Sequence, residues 1–435
     1  MNFEQSRQLQ KRSHAVIPGG AHTYAKGDDQ YPVEAPGFLA RGEGCRVWDA
    51  DGNEFIEYGM GLRSVTLGHG YGPVVQAAAR AMAQGTNFTR PSPLEVALAE
   101  RLVGLIDAAQ MTKFAKNGSD ATTAAVKLAR AYTGRDKVLY CRSQPFFSTD
   151  DWFIGTTPMD SGIPRCVSEL SIGFDYNDSR GLAARLAENA GQVACVILEP
   201  ATFEEPRAGF LQAVRSLCDR HGSVLIFDET ITGFRWHLRG AQASYGVAPD
   251  LSVFGKALGN GFAIAALVGR REVMRLGGLD HDRERVFLLS TTHGAETHAL
   301  AAALAVIDAY EAHDVVATLH HQGERLRRGV EAAAREAGVD GHFATLGRPC
   351  NLIYVTRDRS GRPSQEFRSL FLQELIRRGV IAPSFVVSAA HGDGEVDRTI
   401  EAVAGALAVY RRALEDGVEK YLDGRPVKPV WRARN

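Results

Sequence analysis

Two polar residues, each following an apolar segment, are the residues best placed in this sequence to do chemistry together. Asp228 ends the segment Val224–Asp228, and Lys256 comes two residues after the apolar segment Leu251–Phe254. If both segments are parallel strands of one sheet, the carboxylate and the amine lie at the same edge, where open α/β sheets bind ligands. A buried carboxylate needs a charged partner, and no basic residue adjoins Asp228 in the sequence.

The same pair suits a cofactor with a pyridine ring and an aldehyde. A carboxylate keeps the ring nitrogen protonated, and a lysine forms an imine with the aldehyde. The small neighbours Gly255 and Ala257 leave room for such a ring. We therefore predict pyridoxal 5′-phosphate (PLP) chemistry. Taken singly, Lys256 is better explained as a surface lysine in a glycine-rich loop, and Asp228 is equally a helix cap or a metal ligand.

A candidate phosphate site precedes a strongly helical segment. Asn117, Gly118 and Ser119 stand just before this helix, where Ser119 can cap it and free backbone N–H groups can bind an anion. Thr292 lies in a second polar turn before a helix and could add a hydroxyl. An ordinary helix cap is the alternative. Phe146, in a polar stretch, could stack on the cofactor ring or pack in the core.

Alternating helical and strand-like segments must position these residues. Between about Gly72 and Gly269 the alternation predicts βαβ units, and hence an α/β fold with a mostly parallel central sheet. We expect an N-terminal lobe (residues 1–71), a large α/β domain (72–295) and a smaller α+β C-terminal lobe (296–435). The site would lie in the crevice between the lobes.

Composition excludes several classes of function. With 435 residues and a net charge of −1, the chain carries no basic surplus for nucleic acid. Its apolar runs are far shorter than the ~20 residues of a membrane span, and its start lacks the apolar core of a signal peptide. The six cysteines are scattered and no Cys/His set has metal-ligand spacing, so we expect no metal. These features favour a cytoplasmic enzyme.

Nearly the whole chain resembles the class III (ω-type) PLP-dependent aminotransferases, in the branch of glutamate-1-semialdehyde 2,1-aminomutase and its relatives. The matching segments include Trp48–Gly52, Leu128–Lys137, Phe227–Glu229, Thr232–Arg235, Gly246–Leu251 and Gly255–Lys256. The resemblance implies the fold type I of PLP-dependent transferases, PLP as the cofactor, and a homodimer with shared active sites.

The resemblance also implies a role for individual residues. Lys256 would be the Schiff-base lysine and the base that moves a proton between substrate and cofactor carbons, and Asp228 would pair with the pyridinium. The implied cofactor contacts are Asn117, Gly118, Ser119, Phe146, Glu199, Asp228, Lys256 and Thr292. In this family, Thr292 would reach the phosphate of the neighbouring subunit.

Two segments depart from the aminomutase pattern. Phe146–Ser148 replaces Tyr-His-Gly, and Gly61–Ser64 replaces Ser-Trp-Gly-Pro. Because these segments lie where the family contacts substrate, we predict an aminotransferase that moves an amino group from a donor, glutamate, to a small aldehyde or keto acceptor such as a keto-sugar or a biosynthetic intermediate. Arg63 and Arg90 are candidate substrate contacts, although Arg63 is equally a surface salt-bridge residue.

Two alternative functions stay open. The first is glutamate-1-semialdehyde 2,1-aminomutase itself, which would use the same lysine and aspartate. The second is a degenerate, non-catalytic protein of this fold, and the presence of both Lys256 and Asp228 argues against it.

Overall fold

The computed structural model describes residues 1–434 and divides into two compact units. One unit is residues 72–316, and the other combines residues 1–71 with the chain from Ala317 onward. In chain order the strands are β1 (Leu39–Glu43), β2 (Arg46–Asp49), β3 (Glu54–Glu57), β4 (Met111–Ala115), β5 (Lys137–Cys141), β6 (Ser171–Phe174), β7 (Val193–Leu198), β8 (Val224–Asp228), β9 (Leu251–Phe254), β10 (Ala265–Gly269), β11 (Phe343–Leu346), β12 (Ile353–Thr356) and β13 (Val380–Ile381).

The unit of residues 72–316 is built on one seven-stranded sheet with the order β4-β10-β9-β8-β7-β5-β6. The pairs β5–β6, β5–β7, β7–β8 and β8–β9 are parallel, whereas β10 is antiparallel to both β4 and β9. Every residue of β7, β8 and β9 is buried, as expected of parallel strands covered on both faces. The predicted α/β fold with a mostly parallel sheet is confirmed.

Helices surround this sheet in the sequence order that βαβ units require. Those of five or more residues are Gly72–Ala83, Pro93–Leu105, Gly118–Thr133, Ser179–Glu188, Phe210–His221, Ala241–Tyr245 and Thr297–Ala312. Ser92 caps the second of them with a capping box to Glu95, which satisfies two backbone N–H groups that the first turn would leave unpaired. Strand β8 pairs with β9 so that Asp228 lies opposite Val253. The carboxyl ends of both strands therefore meet at one edge.

The other unit contains a four-stranded sheet, β1-β2-β3-β13, and the antiparallel pair β11–β12. The predicted hairpin between β2 and β3 forms because Asp49 accepts the backbone N–H groups of Asp51 and Asn53, at 3.0 and 2.7 Å, while Gly52 takes φ 87°. Its longer helices are Glu4–Val16, Val315–Glu336, Gln365–Arg377 and Asp393–Asp416. None of the helices in residues 1–434 has the length and apolarity needed to cross a membrane.

Candidate active site

Asp228 is the last residue of β8 and is 6% exposed. The backbone N–H of Thr230 donates to its Oδ1 at 3.0 Å, and a hydrogen bond from the Thr230 side chain also acts on the carboxylate. Burial raises the pKa of Asp228, while Thr230 and the charge of Lys256 act in the opposite direction. The carboxylate therefore retains capacity for a cationic partner from outside the chain.

Lys256 opens a short 3₁₀ helix, Lys256–Gly259, directly after the extended residue Gly255. Its backbone adopts φ 46°, in the left-handed region, where non-glycine residues are uncommon. Strain of this kind costs about 1–3 kcal/mol and concentrates at functional sites. The lysine is close enough to Asp228 for its charge to lower the pKa of that carboxyl. The structure therefore brings together the two residues singled out first.

The Thr230 side chain packs against two glycines, Gly118 of the candidate phosphate loop (Asn117–Ser119) and Gly255, which precedes Lys256. A Cβ atom added to Gly118 would lie 2.9 Å from the Thr230 Oγ1, and one added to Gly255 would lie 3.3 Å from its Cγ2. A Cβ at position 118 would therefore collide with Thr230, and one at position 255 would press against it. Sequence reasoning missed Thr230, because a single sequence does not show which side chain fills the space beside a glycine.

The candidate phosphate loop leads into the helix Gly118–Thr133, and its cap differs from the one expected. Asn117 is the cap, since its Oδ1 accepts the backbone N–H of Asp120 at 2.9 Å; the expectation that Ser119 caps the helix is wrong. An Oδ1 placed one residue before the helix reaches the third N–H, whereas Ser119 already lies inside the first turn. Ser119 is thereby left available for another partner.

Three donors at this helix start have no acceptor among residues 1–434. They are the backbone N–H groups of Gly118 and Ser119 and the hydroxyl of Ser119, which is a buried residue. Such donors at the positive end of a 16-residue helix suit a phosphate. Burial raises the pKa of the nearby Asp120, and the charge of Asp150 acts in the same direction.

An ion pair joins the phosphate loop to the turn that holds Thr292. The Nζ of Lys116 lies 2.5 Å from the Oε2 of Glu296, and this hydrogen bond lowers the pKa of Glu296. The Nδ2 of Asn87 donates to the backbone oxygen of Thr292 at 2.9 Å. Thr292 itself is exposed, so its predicted contact with a phosphate of the neighbouring subunit stays a prediction.

Phe146 and Phe147 differ in their exposure to solvent. Phe147 is 1% exposed, and its backbone oxygen accepts the Thr122 hydroxyl at 2.6 Å, which attaches this loop to the helix Gly118–Thr133. Phe146 is 43% exposed and meets Phe153 edge to face, with ring centroids 5.9 Å apart. Of the two rings, Phe146 is the one available to stack on a cofactor.

Glu199 directly follows β7 and is buried. Its backbone is held by Gln144, whose Nε2 donates to the Glu199 oxygen at 2.7 Å and whose Oε1 accepts the Glu199 N–H at 2.8 Å. Gln144 was not singled out from the sequence, because a glutamine in a loop carries no distinctive pattern. The pairing fixes the position of Glu199 at the same edge of the sheet as Asp228.

The two candidate substrate arginines differ in their surroundings. Arg90 is exposed and makes no ion pair or hydrogen bond with the described residues. Arg63 belongs to the other unit, where its Nε donates to Oδ1 of Asn351 at 2.9 Å. In the described part of the chain, no group of three or more Cys, His, Asp or Glu side chains could hold a metal ion.

The residues at this edge of the sheet fit PLP. Asp228 offers a buried carboxylate, Lys256 offers an amine near it, and the turn at Asn117–Ser119 offers backbone donors for the phosphate. When bound there, PLP supplies a ring that accepts electrons from a substrate carbon. Asp228, Lys256 and the turn at Asn117–Ser119 are the residues that would hold it.

Comparison with known proteins gives the family. Residues 28–348 match the model for "Aminotransferase class-III". The chain is 30% identical to glutamate-1-semialdehyde 2,1-aminomutase of Desulforamulus reducens, over 93% of this chain and 98% of that protein. Among solved structures, it is similar to the FumI protein of Sphingopyxis sp. MTA144 in a PLP form, with a TM-score of 0.87, 28% identity, and 95% and 98% of the two chains covered.

A further solved structure carries the same fold. It is an omega-transaminase from Sphaerobacter thermophilus, with a TM-score of 0.81, 27% identity, and 93% and 98% of the two chains covered. The match to the family model and the full-length similarity to curated relatives show the family, and one of the similar structures is a PLP form. The chain therefore belongs to the class-III aminotransferases and is a PLP-dependent enzyme with the type I fold.

Proposed function

We propose that this enzyme is an aminotransferase that moves an amino group from glutamate to a small aldehyde or keto acceptor, such as a keto-sugar or a biosynthetic intermediate. The observation that carries the proposal is the pairing of Lys256 with Asp228 at the ends of adjoining parallel strands, next to the free donors at Asn117–Ser119. Amino transfer needs an amine base, a carboxylate and an anion site in this arrangement.

Each group has a defined task in this proposal. The Nζ of Lys256, when neutral, takes a proton from the substrate carbon and returns it to the cofactor carbon. The Asp228 carboxylate, when ionised, stabilises the positive ring nitrogen. The donors of Gly118 and Ser119 hold the phosphate, so that the ring keeps one orientation through both half-reactions.

A strained turn supports Arg63 as a substrate contact. Met60, Gly61, Leu62 and Arg63 adopt φ values of 42°, 58°, 57° and 73°, and left-handed backbone costs about 1–2 kcal/mol for each non-glycine residue. Strain persists where the surrounding structure enforces it, which is typical of ligand clamps. Because the bond from Arg63 to Asn351 holds the guanidinium, we propose that Arg63 binds an anionic group of the substrate, a carboxylate or a phosphate.

Spectroscopy with glutamate tests the proposal directly. The purified enzyme with bound PLP would be mixed with L-glutamate, and the loss of near-visible cofactor absorbance would be followed together with the release of 2-oxoglutarate. We expect both, in equal amounts. Lys256→Ala is the control variant and should release 2-oxoglutarate about 10⁴-fold more slowly than the wild type.

Glutamate-1-semialdehyde 2,1-aminomutase is the second candidate function, favoured by the relative from Desulforamulus reducens. An aminomutase keeps the amino group on one substrate and moves it between adjacent carbons. Formation of 5-aminolevulinate from glutamate-1-semialdehyde, with no 2-oxoglutarate from glutamate, would establish this function and overturn the first proposal. An enzyme that gives neither product uses another donor.

We also propose that the enzyme is a homodimer with shared active sites. Several large apolar side chains of the unit of residues 72–316 are exposed in the single chain, and burial in an interface would remove them from water. They are Val75, Met82, Phe88, Val96, Leu279 and Phe287. Light scattering should give twice the 47.2 kDa mass of the chain, and the mass of one chain would contradict the proposal.

A further inference from the structure

A chain of hydrogen-bonded side chains leads from the loop after β5 to the candidate phosphate loop. The Oγ of Ser148 lies 2.8 Å from the Oγ1 of Thr123 and 3.4 Å from the backbone oxygen of Ser119. The Nε1 of Trp152 donates to the same Thr123 hydroxyl at 2.9 Å. Ser148 is fully buried and Trp152 nearly so, so water does not compete for these bonds.

Each hydrogen of this chain has an acceptor. Because an indole N–H can only donate, the Thr123 hydroxyl accepts from Trp152 and can donate its own hydrogen to Ser148. The Oγ of Ser148 also accepts the backbone N–H of Asp150 at 3.1 Å, which leaves its hydrogen for the Ser119 oxygen. Ser148 is thus the central member of a buried network whose donors are all used, and such networks hold their members in one arrangement.

The network fixes one end of the loop that carries Phe146. The other end is fixed by Gln144, whose amide makes two hydrogen bonds with the backbone of Glu199, at 2.7 and 2.8 Å. Phe146 lies between these two anchors and is the exposed ring of the loop. The hydroxyl of Ser148 therefore fixes the position of Phe146 relative to Ser119.

We propose that Ser148 is a positioning residue, whose hydroxyl holds Phe146 and the phosphate loop at the spacing at which one PLP molecule contacts both. This inference rests on the proposed placement of PLP, with its ring against Phe146 and its phosphate at Asn117–Ser119. Ser148 stands where the Tyr-His-Gly pattern has a glycine, which carries no hydroxyl. Its backbone is not left-handed, so alanine can replace it without backbone strain.

The test measures cofactor affinity rather than turnover. Pyridoxamine 5′-phosphate carries no aldehyde and forms no bond with Lys256, so its dissociation constant reports only non-covalent contacts. It would be titrated calorimetrically into cofactor-free wild type, Ser148→Ala and the matched control Ser223→Ala. Ser223 is also buried, and its hydroxyl donates at 3.0 Å to the backbone oxygen of Val193, which begins β7 at the opposite edge of the sheet.

We expect Ser148→Ala to raise the dissociation constant about fivefold, equivalent to about 1 kcal/mol, whereas Ser223→Ala should stay within about twofold of wild type. Phe146→Leu removes the flat ring that would stack on the cofactor. In that background Ser148→Ala should change the dissociation constant by less than about twofold, because two residues that act together are not additive. The visible circular dichroism of bound PLP should weaken in Ser148→Ala and stay unchanged in Ser223→Ala.

An unchanged dissociation constant in Ser148→Ala would overturn the role of Ser148. Equal losses in Ser148→Ala and Ser223→Ala would show a general loss of structure and would overturn it as well, as would a fivefold loss that persists in the Phe146→Leu background. If Ser148→Ala fails to fold, Ser148→Gly removes the same hydroxyl and is judged by the same values. If the wild type binds no pyridoxamine 5′-phosphate at all, the placement of the cofactor itself is wrong, so the two failures are distinguishable.

Discussion

Asp228 and Glu229 are neighbours in the chain, both are buried carboxylates, and their surroundings differ sharply. Glu229 accepts the backbone N–H groups of Ala241 and Gln242, each at 2.8 Å, and the hydroxyl of Thr232. Asp228 accepts one backbone N–H, from Thr230. Burial raises the pKa of both.

We infer from this difference that Glu229 is structural and that Asp228 is the carboxylate of the proposed site. Glu229 is saturated with donors from the start of the helix Ala241–Tyr245 and from its own turn, so it holds the chain after β8 in place. Asp228 is bonded only by the backbone and side chain of Thr230, so it accepts fewer backbone N–H groups than Glu229 does. Burial alone therefore does not distinguish the two carboxylates, whereas their backbone hydrogen bonds do.

Replacing Lys256 should have the largest effect. Lys256→Ala removes the proposed proton carrier, and we expect glutamate-dependent turnover to fall by about 10⁴-fold. Lys113→Ala, at an exposed position of β4, is the matched control and should retain full activity. The measurement is the initial rate of 2-oxoglutarate release. More than a tenth of wild-type activity in Lys256→Ala would place the base elsewhere.

Asp228→Asn should lower turnover by about 10²- to 10³-fold, because a neutral amide cannot stabilise the positive ring nitrogen. The free energy of unfolding of Asp228→Asn, by contrast, should rise relative to the wild type. The folded pKa of Asp228 lies above its ordinary value of 3.8, so the folded state binds the proton more tightly and loses stability as pH rises through this interval.

Urea unfolding of the cofactor-free proteins at pH 4 and pH 8 checks this sign. Relative to Asp228→Asn, the wild type should lose free energy of unfolding between the two pH values. A wild type that instead gains stability over Asp228→Asn as pH rises would show that the carboxylate is already satisfied by the chain, and the contrast with Glu229 would disappear.

Glu229→Gln should mainly affect stability. The new amide would place a donor against the N–H groups of Ala241 and Gln242, and we expect a loss of about 2–3 kcal/mol in the free energy of unfolding, as for hydrogen bonds to a charged group. Denaturant unfolding measures it. The folded variant should bind pyridoxamine 5′-phosphate within about twofold of wild type, and a tenfold loss of affinity would assign Glu229 to the cofactor site.

Breaking the ion pair between Lys116 and Glu296 should have the smallest effect of these changes. Lys116→Met frees the turn of Thr292 from the phosphate loop, and we expect about a two- to threefold weaker affinity for the cofactor, equivalent to roughly 0.5 kcal/mol. Glu296→Gln should match it, and the double variant should be no weaker than either single one. Additive losses would show that the two residues act separately.

Much of the site could be predicted from the sequence because strand ends carry a clear pattern. The apolar segments before Asp228 and Lys256 are buried on both faces and pair in parallel, so the edge where both residues meet follows from chain order. Strands β4 and β6 escaped prediction. Half-buried residues dominate β6, and no run of apolar residues marks either strand.

What could not be predicted depends on contacts that form only in three dimensions. Thr230 packs against Gly118 and Gly255, two glycines that are distant from it in the sequence. The left-handed turn at Met60–Arg63 runs against the backbone preference of every non-glycine residue in it, so only the folded chain reveals it. The choice of Asn117 over Ser119 as helix cap was decided by where the first turn begins.

Covalent trapping of the cofactor is the most direct test of the proposed site. The enzyme with bound PLP would be reduced with borohydride and digested, and its peptides would be analysed by mass spectrometry. We expect one phosphopyridoxyl group per chain, on the peptide that contains Lys256. Its attachment to another lysine, or its absence from a folded protein that binds PLP, would contradict the site built from Lys256 and Asp228.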